Sequence, residues 1–471
     1  MSDMAVSKPF EKNFYQPTEY TVGVPEPEVR EYRRKNEIQI LTPGCDFKPV
    51  FRFEDAGFRP EQTQRLLEAG FTAPSAIQAQ SWPIIMSGKN FIGIATTGSG
   101  KTLAFLLPAL VHIAAQRRLN PGEGPICLVL APTRELAEQI RNEGRKFCMG
   151  VRISAIYGGS PKRMQLQELG GRVEILVACP GRLIDFLKDR RLTIGRVTFF
   201  VLDEADRMLD FGFKPQIEEI NEYIRKDRQV CFFSATWPKE LRHLAYSLCE
   251  DQPVHVQIGS SELSAAKSVK QHVKIVSEEE KYNEVINLLR DLEQRGTNAG
   301  IMIFCETKRS CDYFARELRR QQFNCVCIHG DKEQEERRYV LEEFKTGRAN
   351  ILVATDVASR GLDIKDVKVV INIDMPMQIE DYVHRIGRTG RANATGESYT
   401  FFTDKNKSLC KALVGVLQDA GQEVPVELSS MIRTAPQYNS RFGRSRYGGG
   451  GFGRGHGGPY GNRGGAPEKF R

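Results

Sequence analysis

The chain has 471 residues, 40% of them apolar and 27% charged, with a formal net charge of +8. These proportions exclude a wholly disordered chain and predict two to four domains, at roughly 100–200 residues each. No apolar run reaches the roughly 20 residues that cross a bilayer, so no membrane partner is expected.

The first twenty residues lack the apolar core of a secretory signal. Eleven scattered cysteines without a C-x-x-C pair read as reduced, buried thiols of an intracellular protein. Residues 1–48 are polar and punctuated by proline, with one helical candidate over 26–35. They read as an extension that drapes on a core or stays loose. From 49 to 257, apolar β-branched runs at 91–96, 126–131, 153–157, 175–178, 198–202 and 230–233 alternate with amphipathic stretches. The run 103–115 is apolar but contains Pro108 and His112, and it predicts a buried helix. Residues 258–268 are small and polar, the composition of a linker. A second set of runs, at 301–304, 325–328, 351–354, 367–373 and 399–402, fills the segment 269–432. Near-continuous apolar strands separated by helix-length segments predict parallel sheets covered on both faces, hence two α/β domains in tandem. Cys325 and Cys327 are expected on opposite faces of their strand.

The segment 433–471 differs in kind. Seven arginines and one lysine against Glu468 alone give it +7 of the total charge, leaving the remaining chain near +1. Glycine dominates, with Phe442, Tyr447, Phe452 and Tyr460 interleaved. Such a stretch cannot bury enough apolar surface to offset its ordering entropy, so disorder is expected. Its arginines suit phosphates and its aromatics suit bases, as in RGG-type RNA-binding tails.

Ala95-Thr-Thr-Gly-Ser-Gly-Lys-Thr102 follows the first strand run and leads into the apolar helix. Such a loop cradles phosphates: the backbone amides of Thr97, Gly98, Ser99 and Gly100 converge at a helix N-terminus. Lys101 is placed to reach the β and γ phosphates of ATP, and Thr102 to meet Mg²⁺. Ala95 stands where the general pattern has its first glycine. Asp203-Glu-Ala-Asp206 ends another strand run 102 residues beyond Lys101. Open α/β sheets bind ligands at the carboxyl ends of their strands. Asp203 can therefore hold Mg²⁺ opposite the loop, and Glu204 can orient and deprotonate an attacking water.

Asp203-Glu-Ala-Asp206 also spells the signature of the DEAD-box ATP-dependent RNA helicases, and the chain resembles that family from about Phe53 to Thr403. Gly70-Phe-Thr-Ala-Pro-Ser-Ala-Ile-Gln78 looks like the Q motif, with Phe53 as the isolated upstream aromatic. The resemblance implies that Gln78 reads the adenine edge, with Phe53 and Phe71 beside the base. It implies that Ser234 and Thr236 of a Ser-Ala-Thr motif couple Asp206 to the second domain, together with His384. Val353-Ala-Thr-Asp-Val-Ala-Ser-Arg-Gly-Leu-Asp363 and His384-Arg-Ile-Gly-Arg-Thr-Gly-Arg391 resemble motifs V and VI. There Asp363 would meet the ribose, and Arg388 and Arg391 would act as arginine fingers on the γ phosphate. RNA contacts carry over onto Arg134, Gly158, Gly159, Arg182, Thr307, Arg337 and Thr355, groups that grip phosphates without reading sequence. Cys179 departs from the family's usual threonine, and a thiol is the poorer hydrogen-bond donor.

The resemblance thus implies two RecA-like domains and RNA-stimulated ATP hydrolysis with Mg²⁺, coupled to local, non-processive unwinding of short duplexes and remodelling of RNA–protein complexes. The partners implied are single-stranded and short duplex RNA, bound without sequence specificity. The flanking sequences look like the nuclear branch with RGG tails, so nucleus and cytoplasm are expected, with the nucleus favoured. Two alternatives remain open: an ATP-gated RNA clamp in which unwinding is incidental, and a DNA helicase or unrelated P-loop ATPase.

Overall fold

A computed structural model describes residues 10–96, 98–259, 269–297, 300–356, 367–390 and 395–432. The first lobe is built on eight strands: β1 (Ile38–Ile40), β2 (Phe91–Ile94), β3 (Cys127–Leu130), β4 (Ile153–Ile156), β5 (Ile175–Ala178), β6 (Phe199–Asp203), β7 (Gln229–Ser234) and β8 (Val254–Ile258). Their order is β1-β8-β2-β7-β6-β3-β5-β4. Only β1 runs antiparallel, on β8. The second lobe holds six parallel strands: β9 (Val269–Ile275), β10 (Ile301–Phe304), β11 (Cys325–Ile328), β12 (Ile351–Ala354), β13 (Val369–Asn372) and β14 (Gly396–Phe402). They lie in the order β11-β12-β10-β13-β14-β9.

The expected strand runs all form strands, and the two-sheet α/β expectation holds. The central strands are buried along their whole length, because helices cover both faces. The apolar run after the phosphate loop is the buried helix Lys101–Ala114, with Pro108 inside it. Among the described residues no helix is long and apolar enough to cross a membrane.

Two findings depart from the sequence reading. Three strands carry no strong apolar run. β1 is three residues long, and β8 and β9 mix His, Gln and Lys with valine and isoleucine because they lie at or near a sheet edge. Cys325 and Cys327 share a face rather than opposing one another. Both belong to one core cluster, whereas Val326 between them packs against another. Strand side chains alternate with a period of two, so residues i and i+2 point the same way.

Residues 10–48 are folded onto the first lobe. Val29 of the helix Glu26–Lys35 is fully buried. Arg33 donates to the Gln80 side chain at 3.1 Å and to the Phe47 carbonyl at 2.8 Å. Phe10 and Phe14 set their ring edges on His112, which donates to or accepts from the Thr198 hydroxyl at 2.8 Å. Burial, reinforced by Lys12 and Arg196, pushes the His112 pKa down to about 3, and burial pushes His255 down to about 4. Both imidazoles are therefore neutral in the fold, while the unfolded chain takes up protons near pH 6.5. The stability they contribute is present above that value and is lost as pH falls toward the folded-state values. Between about pH 7.5 and 5.5, His112 alone is expected to cost the fold about 1.4 kcal/mol. Melting curves over that range should show Tm falling by a few degrees, and His112→Gln should flatten the slope. An unchanged slope would mean that His112 takes up its proton without unfolding.

Candidate active site

In the first sheet β2, β7 and β6 are neighbours. Their carboxyl ends therefore bring together segments that begin at Ala95, Asp203 and Ser234. Ala95 donates its backbone N–H to the Ser234 carbonyl at 3.0 Å, closing the floor of the site. Gly98 and Gly100 have φ of +81° and +95°. A Cβ at Gly100 would lie 2.6 Å from Gln78 Nε2 and 2.8 Å from Ser75 Oγ, so both backbone sign and space require glycine. The Gln78 side chain accepts from Ser75 N at 3.0 Å and donates to the Gly100 carbonyl at 3.1 Å. Each end of that amide keeps one further hydrogen-bonding position. Phe53 is 2% exposed and packs near Trp82, whereas Phe71 is 41% exposed.

Lys101 is buried and turned back onto the loop, donating to the carbonyls of Ala95 at 2.6 Å and Thr96 at 2.9 Å. The Ser99 hydroxyl oxygen is buried with no hydrogen-bond partner among the described residues, a cost of about 1–3 kcal/mol that an incoming oxyanion would relieve. Asp203 is buried at the end of β6 and accepts from Glu204 N at 3.0 Å. Burial pushes its pKa up to about 7, against the pull of Lys101. A cation at this carboxyl would restore its charged form. Glu204 has φ +50° and ψ +50°, left-handed for a non-glycine residue, and immediately precedes the short helix Ala205–Asp210. That conformation costs about 1–2 kcal/mol and turns the chain sharply between the two carboxylates.

Asp206 is buried in a closed hydrogen-bond set. It donates its N–H to Ser234 Oγ at 3.2 Å and accepts from Thr236 N at 2.9 Å and Thr236 Oγ1 at 2.8 Å. The next residue, Arg207, crosses to the second lobe. Its guanidinium pairs with Asp381 at 2.8 Å and with Asp210 at 2.9 Å, and it contacts His384 Nδ1. Burial alone would lower the Arg207 pKa, but the carboxylates of Asp206 and Asp381 outweigh it and hold the charge. His384 thus lies against Arg207. Arg388, four residues on, is 8% exposed.

Arg134, Gly158, Gly159 and Arg182 gather on the other half of the same sheet edge, after β3, β4 and β5. Arg134 opens the helix Arg134–Phe147, lies 4.6 Å over the Tyr157 ring and pairs with Glu138 at 3.2 Å. Arg182 donates to the Ser160 carbonyl at 3.0 Å and so braces the Gly158–Gly159 turn. Burial, with a smaller contribution from Glu135, pushes the Cys179 thiol up to about 12, so it stays protonated. In the second lobe Thr307 caps the helix Lys308–Arg320, and Thr355 is buried just beyond β12. Arg337 reaches across to Glu135 of the first lobe at 2.8 Å. Thr97, Asp363 and Arg391, with the segments 260–268 and 433–471, lie outside the described residues.

Sequence reasoning passed over the charges that hold these parts in place. Arg385 makes a two-pronged pair with Asp356, both contacts at 2.6 Å, and donates to the Asp374 carbonyl at 2.5 Å. It thereby ties the helix Ile379–Ile386 to the ends of β12 and β13. Asp374 in turn accepts from Lys281 at 3.0 Å and from Glu306 N at 2.9 Å. Arg207, Asp381, Arg385 and Asp356 each sit within or beside a segment already singled out. Their partners, however, are distant in sequence, and no spacing points to them.

Comparison with known proteins agrees with this geometry. Residues 75–244 match the family model for DEAD/DEAH box helicases, and residues 280–393 match that for the helicase conserved C-terminal domain. The chain is 52% identical over 448 residues to DEAD-box ATP-dependent RNA helicase 20 of Oryza sativa, covering 94% of this chain and 89% of that protein. It is 49% identical over 459 residues to the ATP-dependent RNA helicase DBP2 of Saccharomyces cerevisiae, covering 97% and 82%. Among solved structures, S. cerevisiae Dbp5 bound to RNA and ADP BeF3 is similar, at 26% identity and a TM-score of 0.66, over 81% of this chain and 98% of that one. With both lobes RecA-like and with relatives so similar along nearly its whole length, the chain belongs to the DEAD-box family of ATP-dependent RNA helicases.

Proposed function

We propose that this helicase works by RNA-stimulated ATP hydrolysis at the junction of two domains, 49–257 and 269–432, joined by 258–268. Binding of ATP and single-stranded RNA would favour the closed arrangement, strain a short duplex locally without processive travel, and so remodel RNA–protein complexes. The observation that carries this reading is the partly buried Arg207–Asp381 pair, which joins the residue after Asp206 to the helix leading to Arg388. The state of the nucleotide site can thereby bias the position of the second lobe.

In this reading Lys101 leaves its carbonyl partners for the β and γ phosphates, and Ser99 and the Gly98–Gly100 amides receive phosphate oxygens. Gln78 uses its remaining donor and acceptor on the adenine edge, and the exposed Phe71 ring offers the base a face while Phe53 supports it from the core. Thr102 and Asp203 would hold Mg²⁺, which when bound supplies charge neutralisation of the phosphates. Glu204 accepts the proton of the attacking water, and Arg388 with Arg391 stabilises the charge on the transferred phosphoryl group. Asp363 would meet the ribose. RNA phosphates are received by Arg134, Gly158, Gly159, Arg182, Thr307, Arg337 and Thr355, the last three from the second lobe. The tail 433–471, cationic and aromatic, adds sequence-independent RNA affinity. Eleven free cysteines support an intracellular setting, with nucleus and cytoplasm both proposed and the nucleus favoured.

Glu204→Gln tests the reading most directly. Steady-state turnover should fall by at least about 10²-fold while ATP-dependent RNA binding persists; full turnover would remove Glu204 from its role. Gln78→Ala should erode the preference for ATP over GTP by about tenfold, the worth of one or two hydrogen bonds. Comparing kcat/KM for the two nucleotides checks this, and undiminished discrimination would place adenine reading elsewhere. Asp381→Asn leaves the first lobe's nucleotide contacts intact but removes a countercharge from the buried Arg207. RNA-stimulated kcat should drop about tenfold or more with little change in nucleotide affinity. Equal loss with and without RNA would show that the pair acts on folding alone.

A further inference from the structure

A cavity of about 410 Å³ lies in the first lobe at the amino ends of the strands, bounded by Pro125 before β3, Val173 before β5 and Gly195 before β6. This is the opposite edge of the sheet from the nucleotide and RNA residues. Its floor is apolar, made by Leu119, Leu176, Leu187 and Ile194, each at most 5% exposed. Three arginines form its rim, Arg172, Arg190 and Arg191, beside Tyr223, which is 43% exposed. None of the three guanidinium groups has an ion pair among the described residues, although neighbouring charges such as Arg117–Glu123 and Lys162–Asp189 are paired.

The backbone gives a second, independent indication. The helix Pro180–Lys188 ends in a turn in which Arg191 N donates to the Phe186 carbonyl at 2.9 Å and Arg190 N to the Leu187 carbonyl at 3.0 Å. The residue at the position of Arg190 must then adopt a left-handed conformation, and glycine is the usual choice. Here φ is +52° with an arginine in place. The fold accepts backbone strain at this point and gains a cation at the cavity rim. Across the opening, Gly124 brings its loop so close to Thr193 that a Cβ would lie 1.9 Å from the Thr193 carbonyl oxygen. The wall is thus closed by backbone rather than by a mobile side chain.

We propose that this cavity is a docking site for an acidic segment of a partner protein, one that places an apolar side chain on the leucine floor and carboxylates on the three arginines. Charge decides the occupant. The chain's own 433–471 segment carries net +7 and is repelled by the rim. A nucleic acid would satisfy the arginines but leave the apolar floor uncovered. The site goes beyond helicase chemistry, since it shares no residue with the nucleotide or RNA positions.

The test uses the full chain and a fluorescein-labelled acidic octapeptide with a central Leu-Phe pair, followed by fluorescence anisotropy at low salt. Binding in the micromolar range is expected, weakened at least about tenfold when the carboxylates are replaced by amides. Arg172→Gln combined with Arg191→Gln should weaken it about tenfold, leaving RNA-stimulated ATPase unchanged. Arg190→Gly is the discriminating variant: it should bind the peptide more weakly yet melt at the same or a higher temperature, because glycine relieves the strain. The proposal is overturned if the wild-type chain ignores the peptide at about 100 μM, or if the variants bind it as tightly as wild type. It is also overturned if the substitutions weaken a single-stranded RNA oligonucleotide instead.

Discussion

The working parts of this helicase depend on one constraint: parallel strands joined by right-handed crossovers deliver every following loop to the same edge of the sheet. In the first lobe that edge divides by strand order. The ends of β2, β7 and β6 carry the phosphate loop, Ser234 to Thr236 and Asp203 to Asp206. The ends of β3, β5 and β4 carry the arginines and glycines suited to RNA. One edge therefore holds both groups of loops side by side, linked through strands that share hydrogen bonds.

Partly buried charge then joins the lobes. Asp206 is satisfied within the first lobe, so the adjacent Arg207 is free to direct its guanidinium outward to Asp381 and His384. Taking these ions from water is costly unless geometry and countercharge are both in place. A contact of this kind is strongly sensitive to small rigid-body displacements of one lobe against the other. Arg385 plays the matching part inside the second lobe, fixing the helix Ile379–Ile386 to two strand ends through Asp356 and Asp374.

The phosphate loop rests in a self-satisfied state. Lys101 is held by the carbonyls of Ala95 and Thr96, and Gln78 is shared between its helix cap and Gly100. These bonds keep a buried ammonium from lying unpaired, and each can be exchanged for a phosphate or base contact of equal chemistry. Ser99 and Asp203 carry a visible cost, one as an unpaired hydroxyl and one as a carboxyl pushed toward neutrality. Both costs fall where ATP and a cation would relieve them.

Elements whose cause is local were legible from the residues alone. Apolar runs gave the central strands, the glycines gave the loop at 95–102, and Asp203 to Asp206 announced its chemistry by its place at the end of such a run. The sequence did not yield β1, β8 or β9, because strands at or near a sheet edge need no continuous apolar pattern, and its reading set Cys325 and Cys327 on opposite faces, whereas a strand's period of two puts i and i+2 on one. Which motifs are neighbours was settled by the folded arrangement. Strand order set Ser234 between Asp203 and the phosphate loop, and the meeting of the lobes chose Asp381 for Arg207. It also buried Phe53 while leaving Phe71 open. Such pairings depend on separations from about thirty to 174 residues closing to a few ångströms, and spacing along a chain carries no record of that distance.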